Sequence, residues 1–446
     1  MPWRDFRSFL SFLEEKGDLV RVSKEVSTRF QIAAYTRKSS DTNGPAFIFD
    51  NVAGYPGWRV AAALYATPGR IVDALETKRL ELIHKYMAAM SNAIEPKMVE
   101  DGPCQEVVLT GSDVDLNNLP ICTHAELDAG PFITAGVVIT KDPVIGVRLL
   151  SINRMQVFGP RELGVFPSPH QRLWRAIKKA AELGQTLEAA VAIGVDPAVE
   201  LGSLAKIDHS LDKYGVAGAL HGSPIELVKC RTVDIEVPAT TEVVIEAEIF
   251  PNELRTEGPF GEFPGTYSGT TQSPVVRVKA ITHRENPIYH TAMACMPVSE
   301  DHLMSGVQRA IEVYRAARMA CPEIVDVRMR GNHVFDAVVS IRKRLDGEAR
   351  NVIVSVLGAT HSKYCTVVDE DIDIYNDRDI IWAMETRVQP DKDVYIYPPM
   401  VGGPLDPSSP QRPHSSKMGI DATLPLDAEK AKFQKVVVPG VEDVTW

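Results

Sequence analysis

The sequence lacks long apolar runs: no stretch approaches the roughly eighteen uninterrupted apolar residues that a membrane-spanning helix needs. Its first residues, Met-Pro-Trp-Arg-Asp, also lack the basic and apolar regions of a signal peptide. Only six of the 446 residues are cysteines, and no two form a Cys-x-x-Cys pair, which excludes a zinc knuckle and a disulfide-rich scaffold. We therefore expect a soluble, cytoplasmic protein that makes no membrane contact.

Positive charge is also in short supply. The chain has 48 Lys and Arg against 59 Asp and Glu, a formal net charge of −11, and its basic residues form no long run. Because nucleic-acid binding needs a basic face, we expect no nucleic-acid partner, although a local anion site is compatible with this balance. The Walker A loop, the Gly-x-Gly-x-x-Gly fingerprint and the His-Glu-x-x-His motif are missing as well, so nucleotide hydrolysis and zincin chemistry lose their usual support.

What the sequence contains is the ordinary composition of a globular protein, 44% hydrophobic and 24% charged, in a length that suggests about three domains or two large ones. Helix-like and strand-like segments alternate in the first and last thirds, whereas β-branched, alternating segments in the middle third predict a largely antiparallel sheet or barrel. After about residue 400 the chain is rich in Pro, Gly and Ser, and we expect it to end in a tail segment. The fold class is thus α/β (α+β), with expected helices at 68–84, 171–183, 306–319 and 379–386 and an expected strand at 352–357.

Two carboxylates stand five residues apart around a Gly-Pro-Phe-Gly turn. In an extended or turning backbone, Glu257 and Glu262 can converge on one point. Close carboxylates hold a proton between them unless a cation intervenes, and one of them can then serve as a general acid near neutral pH. The alternative is an exposed acidic hairpin without chemistry.

An arginine interrupts the apolar strand-like segment 149–157. Burying Arg154 is costly unless it is paired, and the carboxylate pair supplies a partner for it. The alternative is an arginine on an edge strand that points to solvent.

Three motifs in this order resemble the UbiD family of decarboxylases, which use prenylated FMN: Ser-Ile-Asn-Arg at 151–154, Pro-Ile-Glu-Leu-Val-Lys-Cys at 224–230 and Glu-Gly-Pro-Phe-Gly-Glu at 257–262. The resemblance covers essentially the whole chain and is closest to members such as the protocatechuate and gallate decarboxylases. It implies an N-terminal α/β domain at 1–115, a split β-barrel flavin-binding domain at 116–304 and a C-terminal α/β dimerisation domain at 305–446.

The implied activity is non-oxidative, reversible decarboxylation of an aromatic or heteroaromatic carboxylic acid through a covalent prenylated-FMN adduct. The resemblance places Arg154, Glu257 and Glu262 in a Glu-Arg-Glu network, with Glu262 as the proton donor and Glu257 paired with Arg154. It also implies a flavin prenyltransferase as cofactor supplier and a homodimer or hexamer of dimers. Two alternatives stay open: a decarboxylase of an acrylic-type α,β-unsaturated acid, and a flavin-binding protein without turnover.

The resemblance further implies a set of residues that contact the cofactor. They are Ser151, Ile152, Asn153, Arg154, Gln171, Arg172, Ala217, Gly218, Glu226 and Lys417. We expect His290 to face the substrate pocket, with a hydrogen-bonded core histidine as the alternative reading, and we expect His124 to be structural.

The phosphate end of the flavin is where the sequence departs from the family pattern. In many members a divalent metal such as Mn²⁺, with K⁺ nearby, bridges the phosphate to an Asn, a His and a Glu. Glu226 matches the glutamate, but Leu149 and Arg172 stand where the Asn and His would be. We hypothesise that Arg172 replaces the metal, forking to the phosphate and pairing with Glu226. The alternative is a two-residue shift that gives the ligand role to His170.

Overall fold

The structure is a computed structural model that describes residues 3–168, 171–331, 334–409 and 413–444. It divides into two compact units, Met1–Gln308 and Arg309–Trp446. Within the described ranges, no helix combines the length and apolar character needed to cross a membrane.

The first unit carries most of the helices. Helix α1 begins where Asp5 accepts a hydrogen bond from the Ser8 main-chain nitrogen, and its apolar residues at helical spacing are buried. The helices are α1 (Phe6–Glu15), α2 (Gln31–Thr42), α3 (Pro68–Ala74), α4 (Leu82–Ser91), α5 (Arg172–Glu182), α6 (Pro197–Gly202), α7 (Lys213–His221) and α8 (Glu300–Ala320). The division between the two units falls within α8.

The strands of the first unit form three sheets. They are β1 (Leu19–Val22), β2 (Ala46–Phe49), β3 (Arg59–Ala62), β4 (Lys97–Met98), β5 (Val107–Thr110), β6 (Phe132–Ile133), β7 (Val137–Lys141), β8 (Arg148–Ile152), β9 (Met155–Gly159), β10 (Glu162–Val165), β11 (Leu187–Ile193), β12 (Glu226–Lys229), β13 (Glu236–Pro238), β14 (Val243–Glu257), β15 (Thr271–His283) and β16 (Ile288–His290). A four-stranded sheet has the order β1-β2-β3-β16, and a three-stranded sheet has the order β13-β12-β4.

The nine-stranded sheet dominates the first unit and positions the site. Its order is β6-β9-β10-β15-β14-β11-β7-β8, with β5 paired to β15, and every pair in it is antiparallel. The sheet curls into a half-barrel. Helix α5 buries an apolar face in the core that this sheet lines, through Leu173, Ala176, Ile177 and Ala180.

The second unit is a five-stranded sheet with helices. Its strands are β17 (Ile324–Arg330), β18 (Asp336–Ile341), β19 (Tyr364–Asp369), β20 (Val394–Val401) and β21 (His414–Ala422), and its further helices are α9 (Glu348–Ala359), α10 (Asp377–Arg387) and α11 (Pro390–Asp393). The order is β17-β18-β19-β21-β20, in which β18, β19 and β21 run parallel. The mixed α/β class with an antiparallel central sheet is confirmed.

Two local predictions were wrong. The predicted strand 352–357 lies in helix α9, because Val352, Ile353, Val356 and Leu357 are buried at helical spacing and not on alternate sides. The predicted helix 68–84 is interrupted, since α3 ends at Ala74 and α4 begins at Leu82. The Pro/Gly/Ser-rich chain after residue 400 contains β21, which pairs with strands on both sides and precedes the expected tail.

Strand β21 packs so closely against α9 at position 419 that only glycine fits there. A Cβ at this position would collide with Cγ2 of Ile353. We expect Gly419→Ala to lower the free energy of unfolding by about 1–3 kcal/mol, the usual cost of overpacking. The matched control is Gly358→Ala within α9, where an added Cβ has nothing within 4 Å and should leave stability equal or raised by about 0.5–1 kcal/mol. Urea denaturation of both variants checks this, and equal midpoints would contradict the packing argument.

Candidate active site

Arg154 is the centre of the most buried ion-pair cluster in the sheet. It lies in the short connection between β8 and β9, not inside a strand as predicted. Its Nε and Nη2 atoms donate to the two carboxylate oxygens of Glu257 at 2.8 and 2.9 Å, and its Nη1 atom donates to Glu262 Oε1. The side chains of Arg154, Glu257 and Glu262 are 7%, 0% and 13% exposed. This geometry excludes both the solvent-facing arginine and the exposed acidic hairpin.

Two aromatic rings enclose the guanidinium group. The Arg154 Cζ atom lies 4.6 Å from the centroid of Phe166 and 5.0 Å from that of Phe260. These cation–π contacts strengthen in a water-poor environment. Sequence analysis missed both rings, although Phe260 lies inside the turn that drew attention to the carboxylates.

The turn between the two carboxylates is fixed by side chains from other segments. Gln156 Oε1 accepts a hydrogen bond from the Gly258 main-chain nitrogen at 2.8 Å, and Asp128 Oδ1 accepts one from that of Gly261 at 2.9 Å. Gly258 has a φ of +88°, a conformation that favours glycine. Burial raises the pKa of Asp128, despite the main-chain donors that oppose this. Gln156 and Asp128 therefore position Glu257 and Glu262, and neither was predicted to do so.

The predicted cofactor residues Ser151, Asn153 and Gln171 take part in local hydrogen bonds. Asn153 is buried and donates to Ser151 Oγ at 2.7 Å. Ile152 packs against a buried apolar cluster that includes Val137, Ile139 and Leu150. Gln171 Oε1 accepts from the Ser168 main-chain nitrogen at 3.1 Å, at the start of α5. Contacts of these residues with a flavin stay a prediction.

Ala217 and Gly218 pack inside the first unit, on helix α7. Ala217 is fully buried, and a Cβ on Gly218 would lie 2.6 Å from the main-chain oxygen of Ile94. Lys417 belongs to the second unit, where it is buried and donates to the main-chain oxygens of Leu357 and Thr360 at 2.6 and 2.8 Å. Burial lowers its pKa to about 8. Flavin contacts by all three also stay predictions.

The two histidines considered in the sequence are both buried. His290 Nδ1 lies 3.3 Å from Glu200 Oε1, and neither side chain is exposed. Burial lowers the pKa of His290, but the carboxylate charge of Glu200 offsets this and raises it above its usual value. Both ring nitrogens of His290 are buried without a hydrogen-bond partner in the described part of the chain, so its contact with a substrate stays a prediction. His124 Nε2 lies 2.8 Å from Thr291 Oγ1, and burial lowers its pKa to about 4, so it is neutral.

The predicted pair between Arg172 and Glu226 is not formed. Glu226 is exposed at the end of β12 and pairs with Lys97 at 3.4 Å. Arg172 Nη2 instead donates to the main-chain oxygens of His209 and Leu211. The ranges that the structure describes contain no group of three His, Cys, Asp or Glu side chains suited to a metal ion, and Leu149 is a buried apolar residue. His170, the alternative ligand, lies outside the described residues.

Family models match three successive segments of the chain. They describe the N-terminal domain, the Rift-related domain and the C-terminal domain of 3-octaprenyl-4-hydroxybenzoate carboxy-lyase, at residues 10–90, 97–297 and 302–422. The fold and its matches define a carboxy-lyase. The chain belongs to the UbiD family, as the three sequence motifs implied.

Solved structures agree over nearly the full length. The UbiD-class enzyme HmfF from Pelotomaculum thermopropionicum, in complex with FMN, has a TM-score of 0.94 and 39% identity, covering 99% of both chains. The 3,4-dihydroxybenzoic acid decarboxylase of Klebsiella pneumoniae has a TM-score of 0.92 and 29% identity over 98% of both chains. The open form of vanillic acid decarboxylase from Sedimentibacter hydroxybenzoicus has a TM-score of 0.89 and 30% identity over 99% of this chain and 97% of that one.

Proposed function

We propose that this chain reversibly decarboxylates an aromatic or heteroaromatic carboxylic acid with prenylated FMN as cofactor. The observation that carries the proposal is the buried Glu257–Arg154–Glu262 cluster, in which one cation bridges two carboxylates. The likeness to decarboxylases of 3,4-dihydroxybenzoic and vanillic acids supports an aromatic substrate. An evolved dimeric form of HmfF in complex with prenylated FMN, 38% identical, supports the cofactor.

Glu262 is the proton donor in this proposal. Of the two carboxylates, Glu257 is fully buried and bound by two nitrogens of Arg154, whereas Glu262 is bound by one nitrogen and is 13% exposed. Glu262 is thus the group that a ligand can reach, and Glu257 holds the arginine. A proton must reach the carbon that loses CO2 where bulk water is excluded, and a partly buried carboxyl group meets that demand.

The flavin supplies, when bound, the electron-accepting centre that stabilises the charge left on the substrate after CO2 departs. Ser151, Ile152 and Asn153 would hold it beside Arg154, with Gln171 as a further contact. The described residues fit such a group, because Arg172 presents buried Nε and Nη1 atoms that have no acceptor within the described part of the chain.

The proposal includes the organisation of the chain and its partners. The segments 1–115, 116–304 and 305–446 act as an N-terminal α/β domain, a flavin domain and a dimerisation domain. A flavin prenyltransferase supplies the cofactor. The chain assembles into a homodimer or a hexamer of dimers, in keeping with the dimeric form of HmfF.

The decisive experiment is co-expression with a flavin prenyltransferase. We expect the purified protein to release prenylated FMN, identified by mass and absorption. The loaded protein is then screened with aromatic, heteroaromatic and acrylic-type acids for CO2 release. If only acrylic-type acids are turned over, the proposed aromatic substrate is wrong and an acrylic-type acid takes its place. If the cofactor is bound but no acid is turned over, the chain is a flavin-binding protein without catalysis. If no flavin is bound, the proposal is refuted.

A further inference from the structure

Basic side chains collect where helices α5 and α7 begin, in a chain whose net charge is −11. Arg172 is the first residue of α5, and Lys213 is the first residue of α7. Arg172 Nη2 donates to the main-chain oxygens of His209 and Leu211 at 2.6 and 3.1 Å. These bonds join the start of α5 to the loop that leads into α7. Two helix N-termini and two cations therefore meet at one place in the first unit.

Arg172 is short of acceptors, and neither cation has a carboxylate partner within the part of the chain that the structure describes. Nε and Nη1 of Arg172 are buried and have no hydrogen-bond partner in the described ranges. Lys213 is 7% exposed and donates to the main-chain oxygens of Leu150 and Ser203 at 2.8 and 2.5 Å. The carboxylates of Asp142, Asp208 and Asp212 act on Arg172 through their charge, but among the described residues none of them is bonded to it. Because buried charges are costly without a direct counter-ion, the site suits an anionic ligand.

The carboxylates of the connecting loop are already engaged. Asp208 accepts hydrogen bonds from the main chain and the hydroxyl of Ser210, and Asp212 pairs with Arg148 at 2.6 Å. Burial, followed by the positive charges of Arg172 and Lys206, lowers the pKa of Lys213 to about 7. An anion between the two cations would relieve this repulsion.

The basic site adjoins the segment that carries Arg154. Lys213 binds the main-chain oxygen of Leu150 on β8, and this strand runs directly into residues 151–154. Leu150 and Arg154 are four residues apart, which is at most about 14 Å of chain, so Lys213 and Arg154 lie at the two ends of one short stretch of backbone. A flavin mononucleotide likewise carries its ring and its phosphate at opposite ends.

We propose that Arg172 and Lys213 together bind the phosphate of the flavin, in place of a divalent metal. The inference rests on the proposed function, because it takes the cofactor to be a flavin mononucleotide. The arginine offers a planar fork of donors, the lysine a point charge, and the N-terminus of α5, which has no side-chain cap, adds main-chain N–H groups. A divalent cation placed here would be repelled by both side chains.

The test is equilibrium binding of FMN and of riboflavin to the cofactor-free, full-length protein. Binding is measured by the change in flavin fluorescence. The two ligands differ only in the phosphate, so the ratio of their dissociation constants isolates the phosphate site. We expect FMN to bind more tightly, with a ratio unchanged by EDTA or by added MnCl₂. An affinity for FMN that falls tenfold in EDTA and returns with MnCl₂ would overturn the inference without any variant.

Variants test the two residues directly. Lys213→Met and Arg172→Ala should each lower FMN affinity roughly 10- to 100-fold, the value of one charge-assisted contact, and leave riboflavin binding unchanged. Lys213→Arg, which keeps the charge, should retain most of the affinity. The control is Lys279→Met, which removes a lysine of the same unit that pairs with Glu248 at 2.8 Å, and should leave both ligands unaffected.

The outcomes separate this inference from the proposed function. If the wild-type protein binds FMN but Lys213→Met and Arg172→Ala keep the wild-type ratio of FMN to riboflavin affinity, only the phosphate assignment is wrong. If the wild-type protein binds neither ligand, and releases no flavin after co-expression with the prenyltransferase, the proposed function is wrong and the assignment fails with it. Circular dichroism of each variant checks that weaker FMN binding does not result from unfolding.

Discussion

Glu262→Gln should lower the rate of decarboxylation by about 10²–10⁴-fold while flavin stays bound. The amide keeps the shape of the side chain and can still accept a hydrogen bond from Arg154 Nη1. It cannot give up a proton, and a positioned general acid contributes a factor of this size. The measurement is CO2 release per bound flavin, using protein loaded by a flavin prenyltransferase and the best acid of the substrate screen.

A control variant separates proton delivery from the general effect of replacing a nearby glutamate. Glu253→Gln changes a glutamate of β14, which is 48% exposed and pairs with Arg277 on the surface. We expect it to retain wild-type activity. If Glu262→Gln and the wild-type protein contain equal amounts of cofactor, a lower rate reflects the chemical step and not a loss of flavin. Wild-type turnover by Glu262→Gln would remove the assigned role, whatever the Glu253→Gln control shows.

The carboxylate pair and its arginine were expected from the resemblance to the family, whereas the residues by themselves left an exposed hairpin and a solvent-facing arginine open. Glu257 and Glu262 flank one short turn, and an arginine in an apolar segment demands a partner. The side chains that hold this turn could not be found in that way. Asp128 and Gln156 are distant in sequence from the main-chain nitrogens they bind, and only the pairing of the strands brings them there.

The phosphate region shows the same limit. The comparison with the family pattern marked Arg172 as unusual, but the predicted partner was Glu226, which lies exposed beside Lys97. The basic neighbour, Lys213, comes from a different helix, and its burial is a consequence of how α7 packs under β8. The β-branched run 352–357 was misread for a similar reason, because burial of α9 against its own sheet overrides local propensity.

Arg154→Met should lower the free energy of unfolding by about 3–5 kcal/mol. The substitution keeps an unbranched apolar stem between Phe166 and Phe260 but removes the only cation that binds Glu257 among the described residues. The Glu257 carboxylate would then be fully buried without a counter-charge. Thermal and urea denaturation of the cofactor-free protein measure the loss, so that flavin binding does not mask it.

The arginine's partner provides the decisive comparison. In the double variant Arg154→Met/Glu257→Gln no charge is left at the buried position, so we expect a smaller loss than in Arg154→Met alone. The control Arg255→Met breaks a surface pair with Glu162, whose side chains are 49% and 35% exposed, and should change stability by less than about 1 kcal/mol. If Arg154→Met unfolds at the wild-type midpoint, or the double variant loses as much as the single one, then Glu257 does not depend on Arg154 for its burial. In that case the cluster would be a loosely held pair of acids, and the division of labour between Glu257 and Glu262 would have no physical basis.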